Sequence, residues 1–308
     1  MQGNAARSPG KAVLKAQPLL IPDPVSTLMP HLQKSHYTFF WGALAGGLAG
    51  MTGLTVATVD TRSTGIEILF VLLSSLFVPS LYVYFLDKRN RFVEPRRTIL
   101  IRTFLLGAFL ACPLAAILET ILGTGAGAPV PALGTGLIEE FAKATAIFWL
   151  LRKKHADLCF EMDGIIVGAA AGMGFAALED MLYGGAAFHQ GLTAVVVTVW
   201  LRQVLGAFGH GTWTAIVAGA IWRERQGGHF RITPRVFSAY LVAASLHGLW
   251  DWGPLGVFTY LVVGVTGIYI LRGMIKEALR QEDGFVARWM SGGGKSSAIP
   301  AAAEVGVD

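Results

Sequence analysis

A set of ionisable side chains stands inside otherwise apolar runs: Glu139, Glu140, Lys143, Glu179, Asp180, Arg202, His210, His247 and Asp251. A charge at the centre of a bilayer costs at least ~2.5–3.5 kcal/mol on insertion scales, so such residues are rare and usually functional. Two histidines and a carboxylate are the ligand types of a catalytic zinc site, and a further glutamate can polarise a bound water. Peptide hydrolysis inside a membrane needs such a device, because water must be both held and deprotonated. The residue types therefore assign Glu139 as general base, with Glu179, His210 and His247 as ligands of Zn2+. Asp251 either orients His247 or joins the ligands. Lys143 offsets the charge of Glu140, and Arg202 binds a substrate carbonyl or stabilises an oxyanion.

Spacing along the chain agrees with this reading. Lys143 is four residues after Glu139 and three after Glu140, so one helix face lets it pair with either carboxylate. His247 and Asp251 share a face at the same four-residue spacing, and Arg202 and His210 lie a little over two turns apart. Each residue also has a plainer reading. Glu139, Glu140 and Lys143 would make a structural ion pair, and the histidines would be packing residues. Glu179 and Asp180 would snorkel to the outer interface, Arg202 would be an interfacial anchor, and Asp251 would mark an interface belt beside Trp250 and Trp252. The plainer reading is preferred for Glu140, Asp180 and Arg202. Of seven histidines only His210 and His247 fall in apolar runs; His31, His36, His155, His189 and His229 lie outside them.

The elements that must carry these groups are membrane helices. The chain of 308 residues is 53% hydrophobic and 15% charged, against about a quarter charged in soluble domains. Runs near the ~20 residues needed to cross a bilayer occur at about 38–58, 66–86, 98–119, 133–151, 162–183, 192–222, 236–253 and 254–272. The sixth is over-long, which suggests a tilted or interfacial first part. Only helices satisfy their own backbone in lipid, so an all-α polytopic bundle of about eight transmembrane helices is expected. Twenty-one of the 25 basic residues fall on one set of alternating loops and termini, and Arg62 alone on the other. That asymmetry puts both termini in the cytoplasm. It also accounts for the net charge of +5 without nucleic acid, since no aromatic-and-basic binding stretch accompanies it.

At ~1.5 Å per helical residue, Glu139, Glu179 and His247 come to lie roughly 6–9 Å below the outer boundary, and His210 roughly 18 Å from the cytoplasm. Helices of alternating direction thus deliver their polar groups to one layer in the outer half. The glycine ladders Gly42, Gly46, Gly50 and Gly164, Gly168, Gly172 predict close helix packing. Residues 1–36 read as a mobile cytoplasmic tail and 37–275 as the bundle, with a catalytic core at 131–253. Residues 276–308 read as an amphipathic segment on the inner surface followed by a disordered end. Cys112 and Cys159 lie at different depths and predict no disulfide.

The run Glu139-Glu140-Phe141-Ala142-Lys143 resembles the EExxK motif of the PrsW family of intramembrane proteases. Phe175 to Glu179 resembles its FxxxE motif, and His210 and His247 resemble its two later motifs. Asp163-Gly164, Gly174-Phe175-Ala176 and His247 to Asp251 fit the same pattern, so the likeness covers about residues 135–252 in order. The family is similar to the CAAX prenyl endopeptidases, whose EExxxR, FxxxH and HxxxN elements correspond in kind. The resemblance implies that Glu139 activates water and that Asp251 stands where those enzymes place Asn. It also implies a multi-pass protein of the bacterial cytoplasmic membrane that cleaves a membrane-anchored protein, an anti-sigma factor in the family's known role. Asp180 departs from the pattern, which commonly has Asn there. A rival from another class is an ion- or proton-coupled transporter, because buried Glu, His and Lys also build relays. No internal repeat relates residues 1–150 to 151–308, which tells against it. A catalytically dead membrane scaffold is a third reading, opposed by the retention of all four motif residues.

Overall fold

A computed structural model describes residues 33–90, 97–151, 158, 160–206, 208–225 and 230–291. The expected N-terminal tail, the disordered C-terminal end and Cys159 lie outside the described residues, except for the first few residues of the opening helix. So do several of the basic residues used for orientation, among them Arg7, Lys11, Lys15, Arg91, Arg96, Arg152, Lys153, Lys154 and Lys295.

The described residues form helices and no strand. In chain order these are α1 (Gln33–Thr61), α2 (Thr64–Asp87) and α3 (Arg97–Leu106), the last running through a π-helical turn (Gly107–Ala111) into α4 (Cys112–Leu122). There follow α5 (Pro129–Leu151), α6 (Glu161–Ala187), α7 (Leu192–Gly206), α8 (His210–Arg223), α9 (Pro234–Trp252) and α10 (Val257–Ser291). Among the described residues, six helical stretches are long and apolar enough to cross a membrane: 38–61, 64–87, 97–122, 161–190, 192–223 and 257–285. The runs expected at 133–151 and 236–253 form α5 and α9, but polar site residues interrupt their apolarity.

Helix α6 is the centre of the bundle. It is buried over most of its length, with α8 packed along it and α2, α3 and α7 around it. A second closely packed pair is α5 with α9, and α9 also leans on α8. Two glycines show why these pairs come so close. A Cβ on Gly172 would stand 2.3 Å from the carbonyl oxygen of His210, and one on Gly136 would stand 2.3 Å from that of Ala244. Neither backbone can move aside as a side chain can. Gly172→Val is therefore expected to push the start of α8 off α6, at a cost of roughly 1–3 kcal/mol or more for overpacking. A lowered thermal midpoint in detergent is the readout, and an unchanged midpoint would refute the close approach.

Three details differ from the sequence expectation. The ladder Gly42, Gly46, Gly50 meets nothing within 4 Å in this chain, so only the α6 ladder packs helices. The over-long sixth run is a broken helix: α7 stops at Gly206 and α8 restarts with His210 as its first residue. Irregular backbone at such a depth is tolerated where it lines a polar site instead of lipid. Finally, the amphipathic stretch 276–290 is continuous with α10. At 35 residues that helix is about 50 Å long, well beyond the ~30 Å hydrocarbon core. Its far end is seated on the bundle: Ala278, Glu282 and Phe285 are buried, and the Phe285 ring meets that of Phe160 at 5.5 Å.

Candidate active site

The polar groups of α5 point into the bundle because its outward face carries apolar residues such as Phe141, which is exposed. Glu139, Glu140 and Lys143 are 4%, 1% and 0% exposed, and His247 is 1% exposed. The Lys143 ammonium reaches Glu139 Oε2 at 3.0 Å, Glu140 Oε1 at 2.9 Å and His210 Nδ1 at 2.8 Å. It also lies 4.2 Å from the centre of the Phe175 ring. Lys143 thus serves both carboxylates, where the spacing allowed a pair with either, and a histidine as well.

Glu140 is an organiser. One oxygen accepts from Lys143 and from His247 Nδ1 at 3.2 Å, and the other accepts from the Thr214 hydroxyl at 3.1 Å. An ionised carboxylate only accepts, so Nδ1 of His247 carries the proton and Nε2 presents its lone pair. This is the carboxylate–histidine arrangement that orients a metal-binding imidazole. Asp251, expected either to orient His247 or to join the ligands, faces Nε2 at 3.5 Å, the side of the second alternative. Trp213, fully buried, stacks on the His247 ring with centroids 4.6 Å apart.

The lone pair of His247 Nε2 also faces Glu139 Oε2 at 3.4 Å. An imidazole lone pair and two carboxylates converging on one point repel one another unless something positive lies between them. His210 Nδ1 approaches the same Glu139 oxygen at 3.6 Å. One donor atom from each of Glu139, His210 and His247 lies within 4.8 Å of the others, the only such grouping among the described residues. Such a group could hold a metal ion, which would take the place of the Lys143 ammonium at Glu139 Oε2 and His210 Nδ1.

Glu179, expected as the ligand carboxylate, stands outside that grouping. Its Oε2 meets His210 Nε2 at 3.1 Å and accepts a short hydrogen bond from Arg202. Arg202 in turn also donates to Asp180, and its guanidinium lies 4.2 Å from the Tyr183 ring centre. Arg202 is therefore a bridge between two carboxylates, where an interfacial anchor or a donor to a substrate carbonyl or oxyanion was expected. Asp180 is a buried member of this bridge and does not snorkel to an interface. All the residues singled out from the sequence thus fall in one connected network.

One residue escaped the sequence reading. Glu119, in the last turn of α4, brings its carboxyl against Glu139 and has one oxygen buried without a hydrogen-bond partner. It stands at the end of the apolar run 98–119, where a glutamate reads as the helix terminus. Only the packing of α4 against α5 shows that it faces the site.

A bundle of apolar helices enclosing glutamates, a lysine and two histidines suits a polytopic membrane hydrolase. Residues 94–274 match the family described as PrsW family intramembrane metalloprotease, and the chain belongs to that family. It is 28% identical over 192 residues to Protease PrsW of Geobacillus kaustophilus, covering 60% of this chain and 80% of that protein. It is likewise 28% identical over 188 residues to Protease PrsW of Halalkalibacterium halodurans, covering 59% and 83%. Protease PrsW of Clostridioides difficile is 24% identical over 198 residues, covering 59% and 81%. No solved structure matches the chain significantly. The protein is a multi-pass membrane peptide hydrolase.

Proposed function

We propose that the chain hydrolyses a peptide bond of a membrane-anchored protein near the outer face of the bacterial cytoplasmic membrane. The observation that carries this is the convergence of Glu139, His210 and His247 inside a shell that holds each of them. The site lies at the end of the bundle closed by the 123–128 and 253–256 turns, where Gly127 N donates to the Asp251 carbonyl at 3.1 Å. The charge asymmetry of the loops puts that end outside, with about eight helices crossing and both termini in the cytoplasm. The catalytic core is 131–253, and a membrane-anchored anti-sigma factor is the substrate the family resemblance suggests. Family membership disfavours the transporter reading.

In this mechanism Glu139 holds the attacking water by its carboxylate, takes one proton from it and returns that proton to the departing amine. Lys143 keeps Glu139 and Glu140 together in a medium where two like charges would otherwise separate. Glu140 fixes the His247 ring, and Glu179 fixes that of His210. His210, His247 and a neighbouring carboxylate would hold Zn2+, with Glu139 nearest to both rings. When bound, the ion supplies Lewis acidity toward water or the scissile carbonyl.

Purified protein with a labelled single-span substrate tests this reading. Treatment with 1,10-phenanthroline is expected to abolish cleavage, and added Zn2+ to restore it. Activity that survives chelation, in protein with no stoichiometric metal, would remove the ion and leave the glutamate chemistry standing. Absence of cleavage from any membrane-anchored substrate, with proton flux in liposomes lost on the same substitutions, would favour the transporter.

A further inference from the structure

We propose that Asp180 and Gln203 are positioning residues that act through Arg202 and Glu179 to set the orientation and protonation pattern of the His210 ring. This rests on the reading of His210 as part of the hydrolytic centre.

The chain of contacts links four helices, α2, α6, α7 and α8. The backbone N–H of Val78, on α2, donates to Gln203 Oε1 at 3.4 Å. Gln203 Nε2, on α7, donates to Asp180 Oδ2 at 2.8 Å. The other Asp180 oxygen accepts from Arg202 Nε, and Arg202 Nη2 donates to Glu179 Oε2. That same Glu179 oxygen meets His210 Nε2 at 3.1 Å. Asp180 and Gln203 are 5% and 3% exposed.

Chemistry gives the chain a direction. An ammonium only donates, so the 2.8 Å contact from Lys143 makes His210 Nδ1 an acceptor and leaves the ring proton on Nε2. That proton points at Glu179, and Nδ1, 3.6 Å from Glu139, is the nitrogen whose lone pair would pass from Lys143 to a bound ion. Nothing in the ring itself demands this tautomer; Lys143 on one side and Glu179 on the other select it. One carboxylate is enough to pair a guanidinium. The second, Asp180, grips the Nε edge and so fixes the plane of the fork, which directs Nη2 at Glu179. Gln203 in turn fixes the Asp180 carboxylate, and the Tyr183 ring covers one guanidinium face. An Asn at 180 has a single acceptor for two donors, and its amide would confront one of them.

The experiment uses the full chain in detergent. In histidine-15N-labelled protein, with the His210 signals identified by their loss in His210→Gln, the wild type is expected to show the Nε2–H form. Asp180→Asn is expected to give a mixture of tautomers. Zn2+ affinity, read by competition with a chromophoric chelator, is expected to fall about 10-fold or more in Asp180→Asn, as for other residues that orient metal ligands. Arg202→Lys keeps the charge but loses the fork, and the same loss is expected there, which keeps the test open should Asp180→Asn fail to fold. In a Glu179→Gln background, Asp180→Asn is expected to cost nothing further. An unchanged tautomer and affinity in Asp180→Asn would overturn the proposal. So would an equal factor lost with and without Glu179, which would make the network helix packing only. None of these readouts needs substrate, so failure to cleave would sink the proteolytic reading separately.

Discussion

Glu139→Gln is expected to lower kcat by roughly 10²–10⁴-fold, the range of a positioned general base, while leaving the fold intact. Gln is nearly isosteric, and its carbonyl still accepts from Lys143, now 3.0 Å from the carboxylate. What disappears is the capacity to take a proton and the charge facing His247 Nε2 at 3.4 Å. The thermal midpoint and the elution profile should stay close to wild type. Bound metal should be retained, because both imidazoles remain and the Asp251 carboxylate faces His247 Nε2 at 3.5 Å. Cleavage at the wild-type rate would remove the mechanism. Loss of metal together with cleavage would move Glu139 into the ligand set and send the search for the base to its neighbours.

The adjacent residue should behave in the opposite way. Glu140→Ala is expected to destabilise the bundle by about 3–5 kcal/mol, the cost of breaking a buried ion pair by removing one partner. Lys143, fully buried, would keep Glu139 but lose its 2.9 Å partner. The His247 Nδ1–H and the Thr214 hydroxyl would lose their acceptor at the same time. Unfolding in mixed micelles, followed by tryptophan fluorescence, measures the loss. Trp213 stacked on His247 is a built-in reporter. A change under about 1 kcal/mol would mean that Glu140 does not organise the site. The expected results separate two neighbouring glutamates by experiment: one removed from the chemistry without unfolding, the other removed from the fold without touching substrate.

Much of the site was legible in the sequence because lipid makes buried charge expensive. Glu139, Glu140, Lys143, Glu179, His210 and His247 stand out against apolar neighbours, and all fall in one network. The helix periodicity also allowed Lys143 to pair with either glutamate; the structure shows it bonded to both. Other features needed partners from elsewhere in the chain. Arg202 and Asp180 look like interfacial anchors until α6 and α7 pack, after which each is the other's counter-ion. Glu119 looks like a helix end until α4 meets α5. The over-long sixth run conceals a break that puts His210 at a helix start, because Gly206 and Gly209 permit a turn there without interrupting the apolar composition.

By itself the amino-acid sequence determined the class of molecule, the presence of membrane helices and the identity of the buried polar groups, since hydrophobicity and charge are local properties of each residue. Which carboxylate faces which imidazole was decided only in three dimensions. Glu140 holds His247 while Asp251 faces the open nitrogen, and Glu179 is turned toward Arg202. These pairings depend on helix rotation and on approaches as close as those at Gly136 and Gly172, which arise from contacts between segments far apart in the chain.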